Sequence, residues 1–97
     1  MIERIALFRL HPHVDRGAFA AQVRIELSAV SGLTGLSVGL PSDAAAEKSW
    51  DVSLVMRFEN PQVAARALAS DAFLRCQHDL LDPSAQVSKQ WAFELLA

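Results

Sequence analysis

The stretch from Trp50 to Phe58, WDVSLVMRF, limits what this chain can become more than any other part of it. It contains no glycine or proline, and β-branched or aromatic residues recur along it. Trp50, Val52, Leu54, Met56 and Phe58 share one face at period two, and Asp51, Ser53, Val55 and Arg57 share the other. The pattern predicts a strand. Its first face is continuously apolar and its second is mixed around Val55, so the strand belongs inside a sheet whose first face is covered by helices. What covers the second face is then the question the rest of the chain has to answer.

A chain of 97 residues makes one domain, residues 1–97, able to bury roughly 65% of its unfolded surface. Its core has little to spare, and a partner subunit would add to it. Apolar residues make up 52% and charged residues 21%, a balance that excludes a disordered chain. The net charge is -2, with both signs spread along the sequence. Neither a nucleic-acid footprint nor a polybasic membrane patch is expected from this distribution. Cys76 is the sole cysteine, so no internal disulfide can form and a reducing compartment is expected. The opening MIERIALFRL reaches Glu3 and Arg4 at once, without the apolar run of a leader or a membrane span. The expected location is the cytoplasm.

Taken in order, Ile2 to Leu10 alternates as a strand, with Ile2, Arg4, Ala6, Phe8 and Leu10 on one row and Glu3, Ile5, Leu7 and Arg9 on the other. Pro12 ends it. Asp15 is the expected N-cap of a helix whose stripe is Phe19, Val23, Leu27 and Val30. Ser31 and Gly32 close that helix, and Leu33 to Leu40 forms a short, glycine-rich strand. Residues 41–49, PSDAAAEKS, have the composition of an exposed connection leading into the central strand, as in a loose hairpin. After Phe58, Asn60 and Pro61 supply an N-cap followed by proline at the first helical position. Val63, Ala64, Ala67 and Leu68 form the inward stripe of that helix. Ser70 and Asp71 cap a further helical segment with Ala72, Phe73, Cys76, Leu80 and Leu81 inward, which Asp82 and Pro83 are expected to stop. Val87, Lys89, Trp91, Phe93 and Leu95 then alternate with Ser88, Gln90, Ala92 and Glu94 in a last strand.

The order strand, helix, strand, strand, helix, strand specifies an α+β, ferredoxin-like split βαβ protomer, a four-stranded antiparallel sheet with helices on one face. The other face is left bare, and Ile5, Leu7, Val55 and Ala92 are the expected interface residues of a homodimer formed through it.

The opening IERIALFRL, the GLTGLSVG segment, WDVSLVMRFEN and the helical VAARALASDAFLR together resemble the stress-responsive dimeric α/β-barrel (Dabb) family along essentially the whole chain. The resemblance implies a dimer of ferredoxin-like protomers whose sheets form a barrel, each with a pocket between sheet and helices. Its members range from plant stress-associated proteins to a polyketide cyclase. Where the cyclase-like members hold a histidine in the first strand, this chain has Arg4. Their tyrosine position falls at Ala67, and their His-Pro-Ala-His pattern falls at Ser70, Asp71, Ala72 and Phe73. The proton-transfer side chains of that chemistry are therefore not carried over.

Other groups have to be weighed on their own chemistry. Arg4 shares a row with Ala6 and Phe8, so its guanidinium enters an apolar space where it can hold a carboxylate or an enolate, or reach the rim and pair with an acid. Phe8, Trp50, Phe73 and Trp91 are expected as pocket walls or as packing, and His78 as a pocket base or an exposed cap residue. His11, His13 and Asp15 lack a recognised ligand spacing, and neither a metal nor an organic cofactor is expected. Two functions follow as expectations. One is a small stress-responsive domain that binds a small apolar, aromatic or polyketide-like ligand. The alternative is a cofactor-independent enzyme resembling a polyketide cyclase, an isomerase or a monooxygenase.

Overall fold

The computed structural model describes residues 1–96. Its elements run β1 (Ile2–Leu10), α1 (Arg16–Leu27), β2 (Leu33–Gly39), α2 (Ala44–Ser49), β3 (Val52–Phe58), α3 (Pro61–Leu68), α4 (Asp71–Cys76), a π-helical turn (Gln77–Leu81), α5 (Asp82–Ser84) and β4 (Ala85–Glu94). The strands form one sheet in the order β2-β3-β1-β4, and every neighbouring pair is antiparallel. Two βα units that each return beside the central pair give this order, which is the ferredoxin-like topology.

One sheet face carries the core. Ala6, Phe8 and Leu10 of β1 and Val52, Leu54, Met56 and Phe58 of β3 are buried there, beneath Phe19, Val23 and Leu27 of α1 and the Val30 that follows it. The two long alternating rows and the four-four-three helical stripe lie where their periods put them. Asp15 caps α1 by accepting from the Ala18 amide at 2.9 Å, and Asn60 caps α3 by accepting from Val63 at 2.8 Å. At Gly32 the backbone turns through φ +96°, and a Cβ there would lie 2.8 Å from Val63 Cγ1. Both the turn and the close approach require glycine.

Three local expectations are corrected. The segment 41–49 is not wholly a loop: Asp43 caps α2 by accepting from the Ala46 amide at 2.7 Å, and the alanines carry one and a half turns. The central strand consequently starts at Val52, and Trp50 ends α2, its amide donating to the Ala46 carbonyl. Helical structure also runs through Asp82 and Pro83 to Ser84. The Asp82 amide closes the wide turn onto Gln77, and Pro83 lies in the short helical segment that continues it.

Candidate functional site

Arg4 stands on the helix side of β1, beside the edge strand β4. Its ladder partner there is Ala92, and Gln90 is paired with Ala6 two places along the same row. The guanidinium Nη2 donates to Gln90 Oε1. Its Cζ lies 5.8 Å from the centroid of the Phe73 ring, a cation–π distance. Nε is buried and has no hydrogen-bond partner among the described residues. Loss of hydration pulls the Arg4 pKa below the ordinary arginine value, because burial penalises the charged form. It remains a cation at neutral pH, with a directional donor left over for an acidic oxygen.

The wall opposite Arg4 is built by α4. Ser70 starts it, accepting from the Phe73 amide at 3.3 Å, which brings the buried Phe73 ring against the guanidinium. Cys76, three residues on, is fully enclosed. Burial, with Glu26 adding its charge and a hydrogen bond, pushes its thiol up to about 12. Such a thiol is not a nucleophile at neutral pH. On the β4 side, Ser88, Gln90, Ala92 and Glu94 face the helices and yet are exposed. The helices stop short of β4, and the shelf beside Arg4 is open to solvent.

The other expected site residues divide. Phe8 is buried in an edge-to-face pair with Phe19, centroids 5.8 Å apart, so it is core rather than pocket wall. Trp91 is moved to the opposite face: it pairs with Ile5, while Ala92 pairs with Arg4. Ala92 thus belongs to the helix side and is not an open-face residue. Alternation defines two rows in β4 but does not say which one faces the helices, and the register slips between Arg9 and Leu10, where Ala85 and not Gln86 faces Leu10. Ile5, Leu7 and Val55 do lie on the open face. His78 is 88% exposed and bonded to Asp79 at 2.8 Å, away from the Arg4 shelf. That hydrogen bond and the Asp79 charge raise its pKa.

Trp50 lines a different pocket, of about 190 Å³, with Leu7, Leu40, Pro41 and Ala46 among its walls. A wider cleft of about 540 Å³ lies over Gly32 between Thr34, Glu59, Arg66 and Ser70, and a third, of about 350 Å³, runs along Asp15, Phe19 and Leu80. Arg4 lines none of these three. His11 and His13 stack with centroids 5.8 Å apart, but among the described residues no group of three His, Cys, Asp or Glu is placed to hold a metal.

Asp51, which the sequence shows merely as one member of a mixed row, organises the far end of the sheet. Its carboxylate accepts from the Leu10 amide at 2.8 Å and from Arg9 at 3.2 Å, with Arg16 at 3.8 Å. Arg16 also holds Glu47 at 2.9 Å. This set ties α1, α2, β1 and β3 together. An acidic residue at a strand start with two arginines free to reach it was the available signal.

A split βαβ protomer with a cleft on its helix side defines a ferredoxin-like α+β protein, and solved structures share this form. The chain matches a Dabb family protein with a ferredoxin-like fold from Mesorhizobium loti at TM-score 0.82 and 16% identity, covering 99% of this chain and 97% of that one. It matches a dimeric ferredoxin-like protein of unknown function from Thermobifida fusca at 0.79 and 21%, covering 97% and 90%. It matches the hydroxynitrile lyase of Passiflora edulis at 0.81 and 10%, covering 98% and 93%. At these identities the likeness is one of fold. No family model and no curated protein matches the sequence.

Proposed function

We propose that this chain is a small ligand-binding domain of the stress-responsive dimeric α/β-barrel kind, cytoplasmic and working as a homodimer packed through the open sheet faces. Arg4 anchors its ligand, a small aromatic or polyketide-like compound with a carboxylate or enolate oxygen. The observation that carries the ligand is the buried, unpartnered Nε of Arg4 beside Phe73. An oxygen placed there satisfies a donor that otherwise lacks a partner, and a flat apolar body can lie along the ring and the β4 shelf. The dimer draws support from the exposed apolar row on β4 and from the description of two similar structures as dimeric. Among the described residues no helix is long and apolar enough to cross a membrane.

The enzymatic alternative draws on the hydroxynitrile lyase that shares the fold. Here Arg4 supplies charge for a developing oxyanion, but no described side chain beside it supplies a base, since His78 faces solvent and the Cys76 thiol holds its proton. Binding is therefore the better-supported reading. Calorimetric titration with a panel of aromatic carboxylates tests it: Arg4→Ala weakens binding by about tenfold or more, corresponding to roughly 1.4 kcal/mol, and Arg4→Lys restores part of the loss. Equal affinity in the wild type and Arg4→Ala rejects the site. Turnover of such a compound that is lost in Arg4→Ala, with the dimer intact, favours the enzyme.

A further inference from the structure

The connection from β2 to β3 encloses a cavity of about 190 Å³ against the ends of β1 and β3. Helix α2, which forms part of its wall, buries none of its residues. It is tied down by polar contacts instead, through Arg16 to Glu47 at 2.9 Å and through Arg9 to the Lys48 carbonyl. A helix fastened in this way is not packed down onto the strands. Ala46 alone of its residues is half-buried and lines the cavity, and its methyl group is too short to fill the space. At Gly39 a Cβ would lie 2.7 Å from Ser53 Oγ, so the glycine keeps the room in which that hydroxyl stands.

We propose that this cavity is a second ligand site, separate from the Arg4 shelf, and that it takes a small neutral molecule with a single aromatic ring and a hydroxyl group. No charged side chain lines it, so an ion entering would lose its hydration and gain no counter-charge. Size narrows the class further. An apolar cavity of about 150 Å³ admits benzene, whereas drug-sized ligands fill roughly 300–1,000 Å³; one ring fits here and a fused polycycle does not. Trp50 offers a flat face, and Leu7, Leu40, Pro41 and Val52 offer apolar contact. Leu40 is 51% exposed, and a bound ring would take part of that surface out of water. The hydroxyls of Ser42 and Ser53 are the polar side-chain groups of the lining, able to donate to or accept from one ligand hydroxyl. Ligands are thereby sorted by charge, anions to Arg4 and neutral rings to this cavity. Leu7 and Ser53 also belong to the open sheet face, so a side chain of the partner in the proposed homodimer is the competing occupant.

Phenol is the probe, and benzoate its charged counterpart. In two-dimensional NMR of the wild-type protein, phenol moves the Gly39, Ala46 and Ser53 amides and the Trp50 indole N–H along saturable curves, and benzoate binds there at least about tenfold more weakly. Ala46→Leu puts a larger side chain into the cavity and weakens phenol by about tenfold or more. Should that variant disturb α2, seen as loss of its helical amide shifts, Leu40→Ser decides: it removes apolar wall from an exposed position and weakens phenol by about threefold or more. Phenol shifts that never saturate, or that fall on β4 beside Arg4 and not around the cavity, overturn the proposal. Benzoate bound here as tightly as phenol overturns it as well, as does unaltered phenol affinity in both variants. Binding by the dissociated Val55→Asp chain but not by the wild-type protein means that the partner fills the cavity, and this too overturns the site.

Discussion

The two faces of one sheet are built from the same alternating strands and have opposite fates. On the helix side, β3 presents Val52, Leu54, Met56 and Phe58, each at most 2% exposed. On the other side the same strand presents Ser53, half-buried Val55 and exposed Arg57. The difference is lost on β4, where neither face is covered, although the bulkier side chains point away from the helices. Period-two patterning states that a strand has two faces, while the depth of apolar character says how completely each is covered. A face of intermediate character next to an exposed aromatic row is the surface through which the proposed homodimer packs.

The comparison breaks most readily at Phe58. Phe58→Ala empties a fully buried site and lowers protomer stability by about 3–5 kcal/mol, read by urea denaturation. Val55→Ala, one face away on the same strand, lowers it by about 1 kcal/mol or less in a dilute protomer; equal costs would mean that the faces are equivalent. Val55→Asp acts on association instead. It leaves the circular dichroism spectrum unchanged and weakens the dimer by about a hundredfold or more, measured by sedimentation, since an unpaired carboxylate would enter the interface.

Cys76 sharpens the contrast through pH. Its thiol is raised to about 12 by burial first and then by Glu26, so the folded state holds the neutral form while the unfolded chain releases its proton from about pH 8.5. The stability it contributes is complete below that value and is lost as pH rises toward 12. Alkylation by iodoacetamide at pH 8 is accordingly slow in the native protein and fast in urea; equal rates would place the thiol at the surface. The smallest effect lies at His78. Asp79→Asn lowers its pKa toward the ordinary histidine value, seen by NMR titration, and leaves the urea midpoint unchanged, since both side chains are in solvent.

Much of this architecture is legible in residue order because long elements repeat their signal. The Phe19, Val23, Leu27 and Val30 stripe and the Asn60-Pro61 start each have several residues or a distinct stereochemical reason behind them. What escapes has neither. Helix α2 is too short for a period, and its evidence is Asp43 before three alanines. The facing of Trp91 and Ala92 is set by their pairing with Ile5 and Arg4, a property of two strands and not of either alone. The candidate site is assembled from Arg4, Phe73 and Gln90, brought together from three distant parts of the chain. Arg4 stood out as a cation on an apolar row, but its neighbours are decided by tertiary pairing.

The pairing of β1 with β4 also bears on the order of events in time. β1 lies inside the finished sheet, yet its β4 side is completed from the far end of the sequence, where Ile2 meets Glu94. Bringing such distant segments together carries the largest chain-closure cost in the fold. Helix α1 with β2, and the β2-β3 pair, can form before it. During that interval β1 has an unsatisfied margin able to recruit a strand from another molecule. A chain that folds in crowded surroundings therefore passes through a stage at which the correct strand competes with neighbours, and the speed of β4 docking determines how much of the population is lost to aggregation.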